Sequence, residues 1–142
     1  MIQHYLTFKR NCAEAMATYV KAFDAEITEK CMYADAPEDP NCPIAEADKG
    51  LIMHASLRIA GADIMCADMS ESCSEGCCCT SGTNMYVSFG SDDAAKVQKA
   101  WDILAEGGNV FVPLAPTFFA ALYGALQDKF GINWMFIYMD KQ

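Results

Sequence analysis

Histidine and positive charge are both scarce in this chain. There are 2 histidines, His4 and His54, in 142 residues. A divalent metal held through nitrogen and oxygen needs several converging ligands, so a site of that kind must lean on carboxylates. Lys and Arg number 10 against 19 Asp and Glu, for a formal net charge of −9. A phosphate backbone or an anionic membrane surface would be repelled, and the scattered basic residues form no polybasic patch. No apolar run reaches the roughly 20 residues of a transmembrane helix. No basic-then-apolar segment opens the chain. A cytoplasmic protein without nucleic-acid or membrane partners is the expectation.

What is present points to a folded domain. The chain is 53% hydrophobic and 20% charged, a globular balance, and its length suits one domain with its own core. Cysteine is the unusual abundance, at 8 residues. Four of them fall in "ESCSEGCCCTSG", as Cys73, Cys77, Cys78 and Cys79. In a reducing compartment such a cluster points to metal, to redox chemistry or to nothing.

The pattern of elements repeats. "IQHYLTF" alternates as a strand. In "RNCAEAMATYVKAFDA", Asn11 is placed to cap a helix, with Glu14 three residues on as in a capping box. Ala13, Met16, Ala17, Val20 and Phe23 fall on one face of that helix. "EITEKCMYA" is the next strand, followed by a loop rich in Pro, Asp and Ala. "LIMHASLRIAG" and "ADIMCADM" are strands joined by a tight turn at Gly61-Ala62. The second half runs the same way. "TNMYVSFG" is a strand, and Ser91 caps a helix with Asp92 and Asp93 in its first turn. Val97, Ala100, Trp101 and Leu104 form the buried stripe of that helix. "NVFVPLA", "TFFAALYGALQD" and "INWMFIYM" supply three more strands. This is βαβββ written twice, with a period of roughly 80 residues.

These stretches resemble the vicinal oxygen chelate superfamily of glyoxalase I, bleomycin-resistance proteins and ring-cleaving dioxygenases, and within it the PhnB-like branch. The resemblance rests on the order and spacing of "YLTFKRNCAEAMATYVKAF", "IMHASLRIAGADIMCADM", "ILAEGGNVFVPLAPTFF" and "DKFGINWMFIY". It implies an α+β fold, a single domain over residues 1–142 made of two βαβββ modules. The modules span about 1–70 and 83–142 and are joined by the Cys-rich loop. Their curved mixed sheets would enclose a cavity with the helices outside. A homodimer is also implied, and "INWMFIYM", apolar on both faces, is the kind of strand whose exposed edge would pair.

In metal-dependent members, His and Glu ligands project from the first and last strands of each module. Laid on that pattern, this sequence offers His4, Met65, Met85 and Met135. One imidazole with three thioethers is a poor site for Zn or Mn, so no cofactor is expected. Met65, Met85, Met135, Phe119 and Trp134 then read as an apolar ligand pocket, with His4 as its polar anchor. His54 shares a strand face with Ser56 and Arg58 and reads as a hydrogen-bonded structural residue. A Gly-rich cofactor loop opening a helix is absent, so the name methyltransferase, attached to some PhnB-like chains, finds no support in the sequence. Meander topology would bring Cys42 to one rim with Cys73, Cys77, Cys78 and Cys79. Cys12, in a first helical turn, is either a thiolate favoured by the helix dipole or a small buried residue, while Cys31 and Cys66 read as core. Three functions stay open: metal-free binding of a small, largely apolar molecule; a metal-dependent lyase, isomerase or dioxygenase; and soft-metal or metalloid capture by the rim thiols.

Overall fold

The computed structural model describes residues 1–41, 43–70 and 79–140. Two βαβββ modules are present, in the order the sequence repeat implies. The first comprises β1 (His4–Phe8), α1 (Cys12–Phe23), β2 (Glu26–Met32), β3 (Ile52–Ile59) and β4 (Ala62–Asp68). The second comprises β5 (Val87–Ser91), α2 (Ala94–Ala105), β6 (Asn109–Ala115), β7 (Leu122–Gln127) and β8 (Asn133–Tyr138). Each module is a curved four-stranded mixed sheet. The strand orders are β1-β4-β3-β2 and β5-β8-β7-β6. In both, the first and last strands of the module pair in parallel, and the other pairings are antiparallel. The chain divides into two compact units, Met1–Val20 with Asp24–Thr80, and Lys21–Phe23 with Ser81 onward.

In the first unit, alternation along the strands sorts the side chains. Phe8, Ala55, Leu57, Ile59, Ile64 and Cys66 are buried on one face. They meet α1, whose Cys12, Ala15, Met16 and Tyr19 are also buried, with the Phe8 and Tyr19 rings 6.5 Å apart. The helix thus buries a face rotated from the expected one: Ala13 and Ala17 are exposed. The capping box is not formed either. Asn11 makes no side-chain cap, and its Oδ1 is buried without a hydrogen-bond partner. Asp68, at the end of β4, accepts from the Cys12 N–H at 2.9 Å and the Ile52 N–H at 3.0 Å. The β3–β4 hairpin turns at Ala60-Gly61, one residue earlier than expected. Both have positive φ, 49° and 82°, as a two-residue type I′ connection requires.

The second unit buries Phe89, Leu126, Trp134 and Phe136 against Val97, Ala100, Trp101 and Leu104 of α2, the stripe the sequence indicates. Phe23 belongs to this cluster, 4.9 Å from both Phe89 and Trp134 by ring centroid. The indole of Trp101 lies so close to Gly124 that an added Cβ would sit 2.7 Å from it; no other residue fits there without displacing the ring. Asp93, rather than Ser91, caps α2, accepting from the Ala95 N–H at 2.9 Å. Ser91 closes β5 and accepts from the Asp93 N–H at 3.1 Å. The edge strands of this sheet are β5 and β6, while β8, the "INWMFIYM" strand, is central.

Candidate functional site

Each sheet has one face packed on its helix and one that is helix-free. Paired residues in neighbouring strands share a face, so register fixes which side chains belong where. On the first sheet, Tyr5 pairs with Met65 and Met65 with Ser56. Ser56 pairs in turn with Glu29, and His54 with Cys31. All four strands therefore contribute to the helix-free face. Tyr5 Oη lies 3.2 Å from His54 Nδ1, and His54 Nε2 lies 3.7 Å from Glu29 Oε2. Arg58 and Asp63 close one end of the face with a 3.1 Å ion pair. Burial raises the Tyr5 phenol above its ordinary range, so it is a neutral hydroxyl at physiological pH. Cys79 lies beside the same face, its Sγ 3.3 Å from the Thr7 carbonyl.

The helix-free face of the second sheet is different in kind. Ser88 pairs with Met135, Met135 with Ala125, and Ile137 with Tyr123. Phe119 packs edge-on against Tyr123 at 5.1 Å and against Phe118 at 5.2 Å. Phe119 is 48% exposed and Phe118 fully so. This is an aromatic and thioether surface without a carboxylate, imidazole or cationic group at the strand positions named.

The sequence-indicated residues divide accordingly. Met65 lies on the first helix-free face, and Met135 and Phe119 on the second. His4 pairs with Ile64, which places it on the helix side of the sheet, and Tyr5 takes the helix-free position on β1. Met85 precedes β5 and is 68% exposed. Trp134 is 1% exposed and turns to the helix side, where its indole N–H donates to Asp128 at 2.9 Å. His54 is hydrogen-bonded, as expected. Tyr5 and Glu29 were not singled out by sequence. The alternation of "HYLTF" separates Tyr5 and Thr7 from Leu6 and Phe8, but nothing local shows that β2 brings a carboxylate to His54.

The donors on the first and last strands do not fit a divalent cation. Tyr5 and Thr7 on β1, Asp63 and Met65 on β4, Ser88 on β5 and Met135 on β8 supply no imidazole or thiolate and a single carboxylate, Asp63, which is ion-paired to Arg58, whereas Zn and Mn need several such ligands. Among the described residues, no group of three or more His, Cys, Asp or Glu is placed to hold a metal. Cys42, Cys73, Cys77 and Cys78 lie outside the described residues. Cys12 and Cys66 are both buried. The Cys12 thiol donates to Cys66, and this bond together with burial drives its pKa well up. Cys12 is the small buried residue of the two readings. A separate cavity of about 410 Å³ lies in the segment between β2 and β3, lined by Tyr33, Pro40, Pro43, Ile44 and Lys49 among others.

Residues 1–137 match the family described as 3-demethylubiquinone-9 3-methyltransferase. The chain is 33% identical over 137 residues to protein YjdN of Escherichia coli K12, covering 92% of this chain and 90% of that one. Protein PA1353 from Pseudomonas aeruginosa has a similar crystal structure, with a TM-score of 0.84 and 30% identity over 99% of this chain and 98% of that one. The PhnB protein of Bacillus cereus aligns with a TM-score of 0.75 and 25% identity over 96% and 98% of the two chains. The repeated βαβββ topology and these relatives agree: the chain belongs to the 3-demethylubiquinone-9 3-methyltransferase family, the PhnB-like branch of the vicinal oxygen chelate superfamily, and has its glyoxalase/bleomycin-resistance fold.

Proposed function

We propose that this protein binds a small, largely apolar molecule on the helix-free face of its second sheet and does so without a catalytic metal. The observation that carries this reading is the surface formed by Phe119, Tyr123, Met135 and Ile137, where ring and thioether groups are left partly exposed. Aromatic side chains dominate the energetics of apolar recognition, and thioethers adapt to varied shapes. The positions that the resemblance matches to metal ligands are His4, Met65, Met85 and Met135, and the helix-free residues of the first strands are Tyr5 and Ser88, a set poor in ligands for a divalent metal. Methyl transfer, named in the family description, gains no support from the helix starts. Each carries a carboxylate that accepts one N–H, Asp68 at α1 and Asp93 at α2, and that negative charge disfavours an anionic cofactor group there.

Titration with the neutral fluorophore N-phenyl-1-naphthylamine tests the site. Saturable enhancement is expected, weakened about five- to tenfold by Phe119→Ala or Met135→Asp. The same preparations should carry Zn, Ni, Fe and Mn below stoichiometry, and His4→Ala should leave metal content unchanged. Stoichiometric metal lost in His4→Ala would overturn the metal-free reading.

A homodimer is part of this proposal. Val110, Phe111 and Val112 are consecutive, each about two-fifths exposed, and lie on the edge strand β6. An apolar edge of that kind favours pairing with a second copy. Sedimentation equilibrium at micromolar concentration should give twice the chain mass, and a monomer throughout would count against it.

A further inference from the structure

The connection between β2 and β3 is fastened to the first unit at both of its ends. Arg10 adopts a positive φ of 67°, a conformation that is costly for any residue with a Cβ. From there its guanidinium donates to the Asp48 carboxylate and, at 2.9 Å, to the Ala47 carbonyl. Asp48 is buried, and its second oxygen accepts from the Ser70 hydroxyl at 2.9 Å. At the other end, the Tyr33 N–H donates to the Leu51 carbonyl at 3.0 Å and the Ala34 N–H to the Lys49 carbonyl at 3.1 Å. The Tyr33 hydroxyl donates to the Asp68 carbonyl at 2.9 Å. Backbone strain persists where the surrounding structure imposes it, and it gathers at functional sites. A buried carboxylate likewise needs such partners.

What these anchors hold in place is the cavity of about 410 Å³, a size typical of small-molecule sites. Its walls are largely carbon, from Ala34, Pro40, Pro43 and Ile44. Tyr33 also lines it, and with its hydroxyl spent on Asp68 it offers the cavity its ring. Proline rings present rigid faces whose backbone conformation is set in advance. The polar lining is Glu38, Asp39 and Lys49. The Lys49 ammonium lies 3.0 Å from the Glu46 carboxylate, and Asp39 accepts from the Asn41 N–H at 2.9 Å. Glu38 and Asp39 are exposed, so they stay hydrated and act as a negative rim rather than as a buried counter-charge. An acid entering the cavity meets that rim in a chain that already carries −9, and is repelled.

We propose that this cavity is a binding site for a compact, uncharged ring compound, whose ring packs against Tyr33, Pro40, Pro43 and Ile44. The carbon walls supply the affinity, and the carboxylate rim supplies discrimination against acids of the same shape. Arg10 is a positioning residue: it touches no ligand but fixes the far wall through Asp48 and Ala47. The cavity lies within the first unit and shares no residue with the apolar surface of the second sheet, so each reading stands or falls without the other.

Two probes of nearly one shape and different charge test it: indole-3-acetamide and indole-3-acetate. Each is titrated near neutral pH into the full chain, with binding read from the methyl resonances of Ala34 and Ile44. The amide should shift both resonances to saturation and bind at least about fivefold tighter than the acid. Ile44→Asp, read at Ala34, and Ala34→Trp, which fills the cavity and is read at Ile44, should each remove the response. Both positions lie in the connection, outside strand and helix, so circular dichroism should show native folding in each variant. Arg10→Gly keeps the positive φ without strain and removes the anchor, and should weaken the amide severalfold. Methyl resonances that do not respond to the amide, equal affinity for amide and acid, a response that survives both cavity substitutions, or affinity unchanged in Arg10→Gly would each overturn the proposal.

Discussion

At the start of α1, Asp68 does what the position of Asn11 suggests Asn11 should do. Its carboxylate is 3% exposed and accepts from Cys12 N–H and Ile52 N–H. It thereby ties the helix start, β3 and β4 together and places negative charge at the positive end of the helix dipole. The Asn11 amide oxygen has no partner. The two residues should therefore behave oppositely to their sequence roles. Asp68→Ala strands two backbone donors and should cost about 2–4 kcal/mol. Asn11→Ala should lie within about 0.5 kcal/mol of the parent, where a true N-cap would cost about 1 kcal/mol. Urea midpoints of the two variants separate these outcomes. A large loss from Asn11→Ala with little from Asp68→Ala would show that the cap is Asn11 after all. Asp128 is a similar case: buried, it accepts from Phe130, Ile132 and Trp134. A sequence reading sees only an acidic residue between two strands, because the donors it serves are recognised only once the chain has folded.

Elements were legible where their side chains are large. The α2 stripe is correct because Val97, Trp101 and Leu104 carry a strong period. The α1 stripe is misplaced because its helix is rich in alanine, which fits either side. Cys12 and Tyr19, which decide the matter by being buried, are ambiguous in hydropathy. Strand order followed from the repeat, since a βαβββ unit has few ways to place four strands. Edges did not follow from side-chain character. The apolar "INWMFIYM" is central, paired on both edges by β5 and β7, and the exposed apolar edge is β6, whose "NVFVP" looks ordinary in sequence. Glycine 124 shows a further limit. In "ALYGALQ" it reads as a weak point in a strand, whereas it is where Trp101 crosses the sheet.

Across the whole molecule, two repeated modules carry helix-free faces of opposite chemistry, one polar and one aromatic. The repeat makes the architecture readable, but it does not extend to the side chains of the two helix-free faces, which differ in kind. Tyrosines link stability to these environments. Tyr5 is hydrogen-bonded to His54, and Tyr33 donates to the Asp68 carbonyl at 2.9 Å. In both, burial is the leading cause of a pKa raised above the ordinary phenol value. A phenol in the unfolded chain ionises near pH 10, while these two keep their protons in the folded state. Their contribution is thus fully present below about pH 10 and is lost as pH rises through the folded values, because the unfolded chain then binds fewer protons than the native one. Denaturation midpoints should be level from about pH 8 to pH 9.5 and fall between about pH 10 and 11.5. Absorbance at 295 nm should show part of the phenolate signal appearing only as the fold is lost. In a Tyr5→Phe, Tyr33→Phe double variant the alkaline fall should be shallower, even though its midpoint near neutrality is lower. An equally steep fall in the double variant would place the alkaline weakness elsewhere in the molecule.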